Sequence, residues 1–158
     1  MFEICEPINE NKLPNTLIGC FIPETNKMRF LLRNLSVHQH TVCMHSLKAL
    51  DQVQKELYRL KNDYPELHQY LEAKHLIALK WGVFFHDLGK IDPHADHEVS
   101  GTSMAVQALE KIGYQDQELL TLVSLLIVHQ STVEQLSKKS QQPPSCFLLV
   151  HKLCELST

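Results

Sequence analysis

With 158 residues, 44% of them hydrophobic, the chain is long enough to bury a core in one domain without staples. Its formal net charge of −3 excludes the broad basic field that a long nucleic acid needs. Five scattered cysteines, Cys5, Cys20, Cys43, Cys146 and Cys154, odd in number and without a C-x-x-C pair, fit neither a disulfide framework nor a zinc ribbon and point to a reducing compartment.

The opening MFEICEPINENK lacks the basic and apolar regions of a signal peptide, and no apolar run approaches the roughly 18 residues of a membrane span. The expectation is a cytoplasmic protein with no membrane partner. Residues 1–35 are interrupted by Pro7, Pro14 and Pro23 and are expected to be an N-terminal packing segment, with one metal-binding domain over 36–158 in the same globular unit. From about Val42 to Lys61, Leu47, Leu50, Val53, Leu57 and Leu60 recur at intervals of three and four, which is one face of an amphipathic helix. A second helix is predicted over Leu67 to Phe85, with its C-terminal half, LIALKWGVFF, in the core.

The polar HDLGKIDPHADHE reads as a loop leaving that helix. A third helix, about His97 to Ile112, should stop at Gly113. A fourth should begin after an Asp116 N-cap, and its run LLTLVSLLIV, apolar on nearly every face, should make it central and deliver His129 at its end. Pro143 and Pro144 set up a last helix, SCFLLVHKLCEL. Few stretches alternate with period two, so the class is all-α.

Ten histidines give the chain its chemical character. His38, His68, His75 and His151, taken singly, read as chance surface usage. His86 and Asp87 follow WGVFF directly, where both side chains cost free energy to bury unless paired or bound to a cation; the alternative is a pair that caps the helix end and faces water. Neutral imidazole and carboxylate suit divalent ions. His45 in the imidazole-rich HQHTVCMHSLKAL, His97 after the loop, His129 and Glu155 come from separate predicted helices, which is how bundles assemble metal sites.

In this order, HTVCMHSLKAL, FFHDLGK, DHEVSGTSMA, LIVHQ and LLVHKLCELST resemble the motif segments of the HD superfamily of metal-dependent phosphohydrolases. That resemblance implies an HD-domain helical bundle of about five to seven helices. It implies His45, His86 and Asp87 as ligands of a divalent ion (Mn, Fe, Zn, Ni or Mg), with Glu155 where the family uses an Asp to complete the site. It places Lys90 beside the phosphate as a point cation, and His97 and His129 near the site to bind a second ion, hydrogen-bond the phosphate or protonate the leaving oxygen. His94 and Asp96 share the loop as second-choice candidates.

Within the superfamily, FIPE at 21–24, its spacing to HQHTVCMHSL and the run FFHDLGK to HADHEVSG resemble the HD domain of the bifunctional uridylyltransferase and uridylyl-removing enzymes of nitrogen regulation. The likeness covers about residues 20–156. It implies hydrolysis of a nucleotidyl phosphodiester or a phosphomonoester, in its most specific form removal of uridylyl from a nucleotidylylated regulatory protein. Cys43 stands where those relatives carry an acidic residue, KIDPHADH replaces their glycine-rich loop, Glu155 replaces Asp, and no G-S followed by D-x-D supplies a transferase half. The end of the chain three residues after Glu155 suggests a minimal or truncated domain. These departures keep open an alternative, a non-catalytic regulatory domain that binds a metal or a nucleotide.

Overall fold

A computed structural model describes residues 22–31 and 41–130. The described residues are mostly helical and contain no β-strand, as an all-α bundle requires. In chain order they form α1 (Glu24–Met28), α2 (Val42–Asp63), α3 (Pro65–His68), α4 (Ala73–Phe85), a 3-10 turn (Leu88–Ile91), α5 (His97–Lys111) and α6 (Gln117–Val128). No described helix is long and apolar enough to cross a membrane.

Across the bundle α4 packs between α2 and α6, and α6 between α4 and α5. The predicted central helix, α6, thus shares the centre with α4. The amphipathic face of α2 buries Leu47, Leu50, Val53 and Leu60, with Leu57 partly covered. The sequence WGVFF gives α4 rings at i, i+3 and i+4, and Trp81 stacks on Phe85 with centroids 5.2 Å apart. Tyr114, brought back by Gly113 at φ +100°, meets Trp81 edge-on at 6.0 Å. That left-handed turn is one a glycine adopts without steric cost. At Gly82 a Cβ would lie 2.8 Å from Leu126 Cδ1, so the missing side chain is what lets α4 and α6 approach.

Two contacts fix the relative direction of the central pair. Lys74, in the first turn of α4, donates to Glu118, in the first turn of α6, at 2.7 Å, and near their other ends Gly82 faces Leu126. The two helices therefore run parallel, and their C-termini lie at the same end of the bundle. Glu118, and less strongly Glu72, raise the Lys74 ammonium above its ordinary pKa. This contribution is fully present at neutral pH and is lost only as the pH rises through that raised value. The N-termini of α2 and α5 reach the same end: His45 lies against His86, and Gly101 against Gly89.

Asp116 caps α6 as predicted, accepting from the backbone N–H of Glu118 at 2.9 Å and of Leu119 at 3.3 Å. Asp116→Ala should lower unfolding free energy by about 1 kcal/mol in urea denaturation. An unchanged midpoint would remove the cap from the account.

Three expectations are revised. The helix predicted over Leu67 to Phe85 is two helices, because Leu71 and Glu72 leave helical geometry and Glu72 starts α4 afresh as its N-cap. His75 closes that start reciprocally, its Nδ1 accepting the Glu72 N–H at 3.1 Å. It is therefore a buried capping residue and not chance surface usage, whereas His68 is only half-buried. The segment after Asp87 is not simply a loop, since Leu88–Ile91 coils into a 3-10 turn whose Leu88 and Gly89 are buried. The helix predicted after Pro143, with Glu155 and His151, lies outside the described residues, as do His38 and most of the N-terminal segment.

Candidate metal centre

The site begins with Thr41, whose extended backbone and Oγ1, accepting from the Met44 N–H at 3.1 Å, start α2 and set His45 in its first turn. Farther along the chain, α4 ends in the buried Phe84 and Phe85, so the chain leaves the helix while still inside the core. His86 occupies the C-cap and Asp87 the position before the 3-10 turn.

His86 Nδ1 lies 2.7 Å from the Val83 carbonyl oxygen. A carbonyl only accepts, so Nδ1 carries the proton and, in the neutral ring, Nε2 holds the lone pair. That Nε2 is 3.0 Å from His45 Nε2, while Asp87 Oδ2 lies 3.6 Å from His86 Nε2 and 3.9 Å from His45 Nε2. One ligand atom from each of the three residues falls within 4.8 Å of the others.

Neighbouring donors on an ion with bonds of about 2.1 Å are separated by roughly 3.0–3.4 Å in octahedral and tetrahedral arrangements. The imidazole pair meets that spacing, and the carboxylate is slightly more open. The donor set, two nitrogens and one carboxylate, therefore fits a divalent ion. Side-chain exposure rises from 2% at Asp87 through 16% at His86 to 33% at His45, so the group is anchored in the core and opens to solvent on the His45 side. An open coordination position is what separates a reactive metal site from a purely structural one.

The other predicted residues are distributed around this group. Lys90 donates to Asp87 Oδ1 at 2.5 Å. His97 and His129 are exposed, the first opening α5 and the second ending α6, and neither belongs to the three-residue donor group. Both nevertheless stand at the site's end of the bundle. A Cβ on Gly89 would strike the His97 carbonyl oxygen, and one on Gly101 would lie 3.8 Å from Ile127 Cγ2, two residues before His129. His94 is exposed, and Asp96 caps α5 by accepting from the N–H groups of Glu98 and Val99 at 2.9 and 3.2 Å. Glu155 lies outside the described residues.

No family model, curated protein or solved structure matches this chain. The chemistry of the centre thus follows from its own donors. Two of its supports were not anticipated from the sequence, the Val83 carbonyl and the meeting of Gly89 with Gly101. The first is a backbone group and carries no side-chain signal. The second had one, a glycine on each side of the loop, but its meaning depends on which helices touch.

Cys43 is fully buried beside Val42 in the hydrophobic core.

Proposed function

We propose that the protein is an HD-type, metal-dependent phosphohydrolase, with His45, His86 and Asp87 holding a divalent ion. The observation that carries this reading is the convergence of three ligand atoms from two helix ends within 4.8 Å, one of them on an imidazole whose tautomer is fixed by the Val83 carbonyl. Bound there, such an ion supplies Lewis acidity toward a phosphoryl oxygen and moves the pKa of a water ligand from about 15.7 toward 7.

The residues of the chain divide the remaining work. Buried Asp87 fixes the position of the site, and His45, the most exposed of the three, borders its open side. Hydrolysis needs a water oxygen to add to phosphorus as the bond to the leaving oxygen breaks, with one proton passing to that oxygen. His97, which opens α5, and His129, which follows α6, stand at this end of the bundle, and imidazole is the side chain most often used for general acid work, so these are the groups we propose for that transfer. Lys90 contributes positive charge beside the site. We propose a nucleotidyl phosphodiester or phosphomonoester as substrate, a nucleotidylylated regulatory protein as its most specific form, and the cytoplasm as the compartment. Glu155 is retained as the proposed further ligand on the strength of the sequence resemblance alone.

One observation favours the alternative of a non-catalytic regulatory domain. Buried Cys43 leaves the first turn of α2 without the acidic group of the resembling enzymes. Metal analysis of protein purified without chelator, paired with hydrolysis of bis(p-nitrophenyl) phosphate in added Mn, separates the two. Metal with turnover that His45→Ala abolishes is the expected result. Metal without turnover on this substrate and on nitrophenyl phosphate would replace the enzyme by the regulator, and absence of metal would remove the enzyme and leave only a nucleotide-binding form of the regulator.

A further inference from the structure

Asp87 offers two carboxylate oxygens, and the 3-10 turn treats them differently. In a 3-10 helix three residues complete a turn, so side chains at i and i+3 eclipse. Asp87 is the N-cap of this turn and Lys90 is its i+3 partner, which brings Nζ onto Oδ1 at 2.5 Å. The distances from the carboxylate to the imidazoles are to Oδ2. The turn itself is held against α5 by the approach of Gly89 to Gly101 and to the His97 carbonyl.

An ion arriving at the two imidazoles therefore meets one oxygen of Asp87, because the other accepts from an ammonium. Ions differ in how much this matters to them. Calcium takes six to eight oxygens at about 2.3–2.6 Å and often uses both oxygens of one carboxylate. First-row transition ions and zinc accept imidazole nitrogen readily and are satisfied by a single carboxylate oxygen.

Resting on the metal-site reading above, we propose that Lys90 is a positioning residue that keeps Asp87 one-toothed and thereby biases the centre toward imidazole-preferring divalent ions and against calcium. Its ammonium also opposes cation binding through charge alone. Removing Lys90 should therefore not weaken all ions alike. It should free the carboxylate to turn, ease calcium binding and leave transition-ion binding less well ordered. Lys90→Arg keeps a cationic donor and should retain most of the discrimination, while Lys90→Gln keeps a donor without the charge and should fall between.

The test uses the full chain, stripped of metal and titrated with Co(II), with calcium as competitor and visible absorption as the readout. The wild type should bind cobalt with a defined d–d spectrum that calcium displaces poorly. In Lys90→Met the spectrum should change as the carboxylate turns, and the cobalt-over-calcium preference should fall by roughly tenfold or more, the scale of losses when the partner of a ligand is removed. Far-UV circular dichroism checks folding, and Lys90→Gln carries the test if Lys90→Met does not fold.

A Lys90→Met protein with the wild-type spectrum and preference overturns the proposal. So does a uniform loss of affinity for both ions with the spectrum intact. A wild type that takes up no cobalt overturns the metal site together with this inference, whereas cobalt uptake with no response to Lys90 substitution leaves the site and removes only the role of Lys90.

Discussion

His86→Ala and Asp87→Ala should each retain at least about tenfold less metal than the wild type after the same purification, read by elemental analysis, and should lose the rise in melting temperature that added ion produces. The thermal effect follows from linkage, because an ion bound only by the native state stabilises it by RT ln(1 + [L]/Kd), about 2.7 kcal/mol at a hundredfold excess over Kd. For a chain of this length that is a shift of roughly 5–10 °C. His86→Ala also removes the Nδ1–H to Val83 hydrogen bond, a loss of about 1 kcal/mol that does not depend on the ion. Comparing each variant with and without chelator subtracts it. A variant that keeps wild-type occupancy and the full ion-induced shift would show that this residue is not a ligand.

Gly89→Ala should destabilise the protein by about 3 kcal/mol, toward the upper end of overpacking effects, and depress metal binding with it. An added Cβ would fall on the His97 carbonyl oxygen and 2.6 Å from the Gly101 nitrogen, and both obstacles are backbone, which cannot rotate away. Either α5 withdraws or the 3-10 turn does. The turn carries Lys90 and follows Asp87, so its withdrawal would displace the buried Asp87 carboxylate. Gly101→Ala should cost less, since its Cβ would meet the Gly89 nitrogen at 2.9 Å and Cα at 3.3 Å. Urea denaturation of the two variants should give that order. Equal, small losses would mean that the two segments separate easily.

The sequence made the helices legible wherever the signal was local. Leu47 to Leu60 marked the buried face of α2, Asp116 the start of α6 and Gly113 its preceding turn, because periodicity, capping and a left-handed residue are properties of neighbours along the chain. The break between α3 and α4 was missed because continuing apolar residues outweighed the Glu72 and His75 pair, a capping box in which histidine replaces the usual glutamate or glutamine. At the site, His86 and Asp87 were conspicuous as polar groups directly after a buried aromatic run. That His45 meets them depends on how α2 packs against the end of α4, which is a tertiary property. Their tertiary supports, Val83 and the Gly89–Gly101 contact, could not be read without knowing that α5 folds back over the turn. The contact of Lys90 with Asp87 depends on the three-residue repeat of the 3-10 turn, which a polar segment read as a loop does not reveal.

The parallel course of α4 and α6 has an electrostatic consequence. Each helix carries a macrodipole equivalent to roughly half a negative charge at its C-terminus. Both negative ends point to the side of the bundle that holds His86, Asp87 and His129. The opposing positive ends belong to α2 and α5, but the latter is offset by Asp96 at its cap and Glu98 in its first turn. With Asp87 added, and Lys90 set against it, this end of the molecule attracts a cation and repels an anion. Under the proposed function the order of assembly follows: the ion enters first, and only then does a phosphate meet a field that welcomes it.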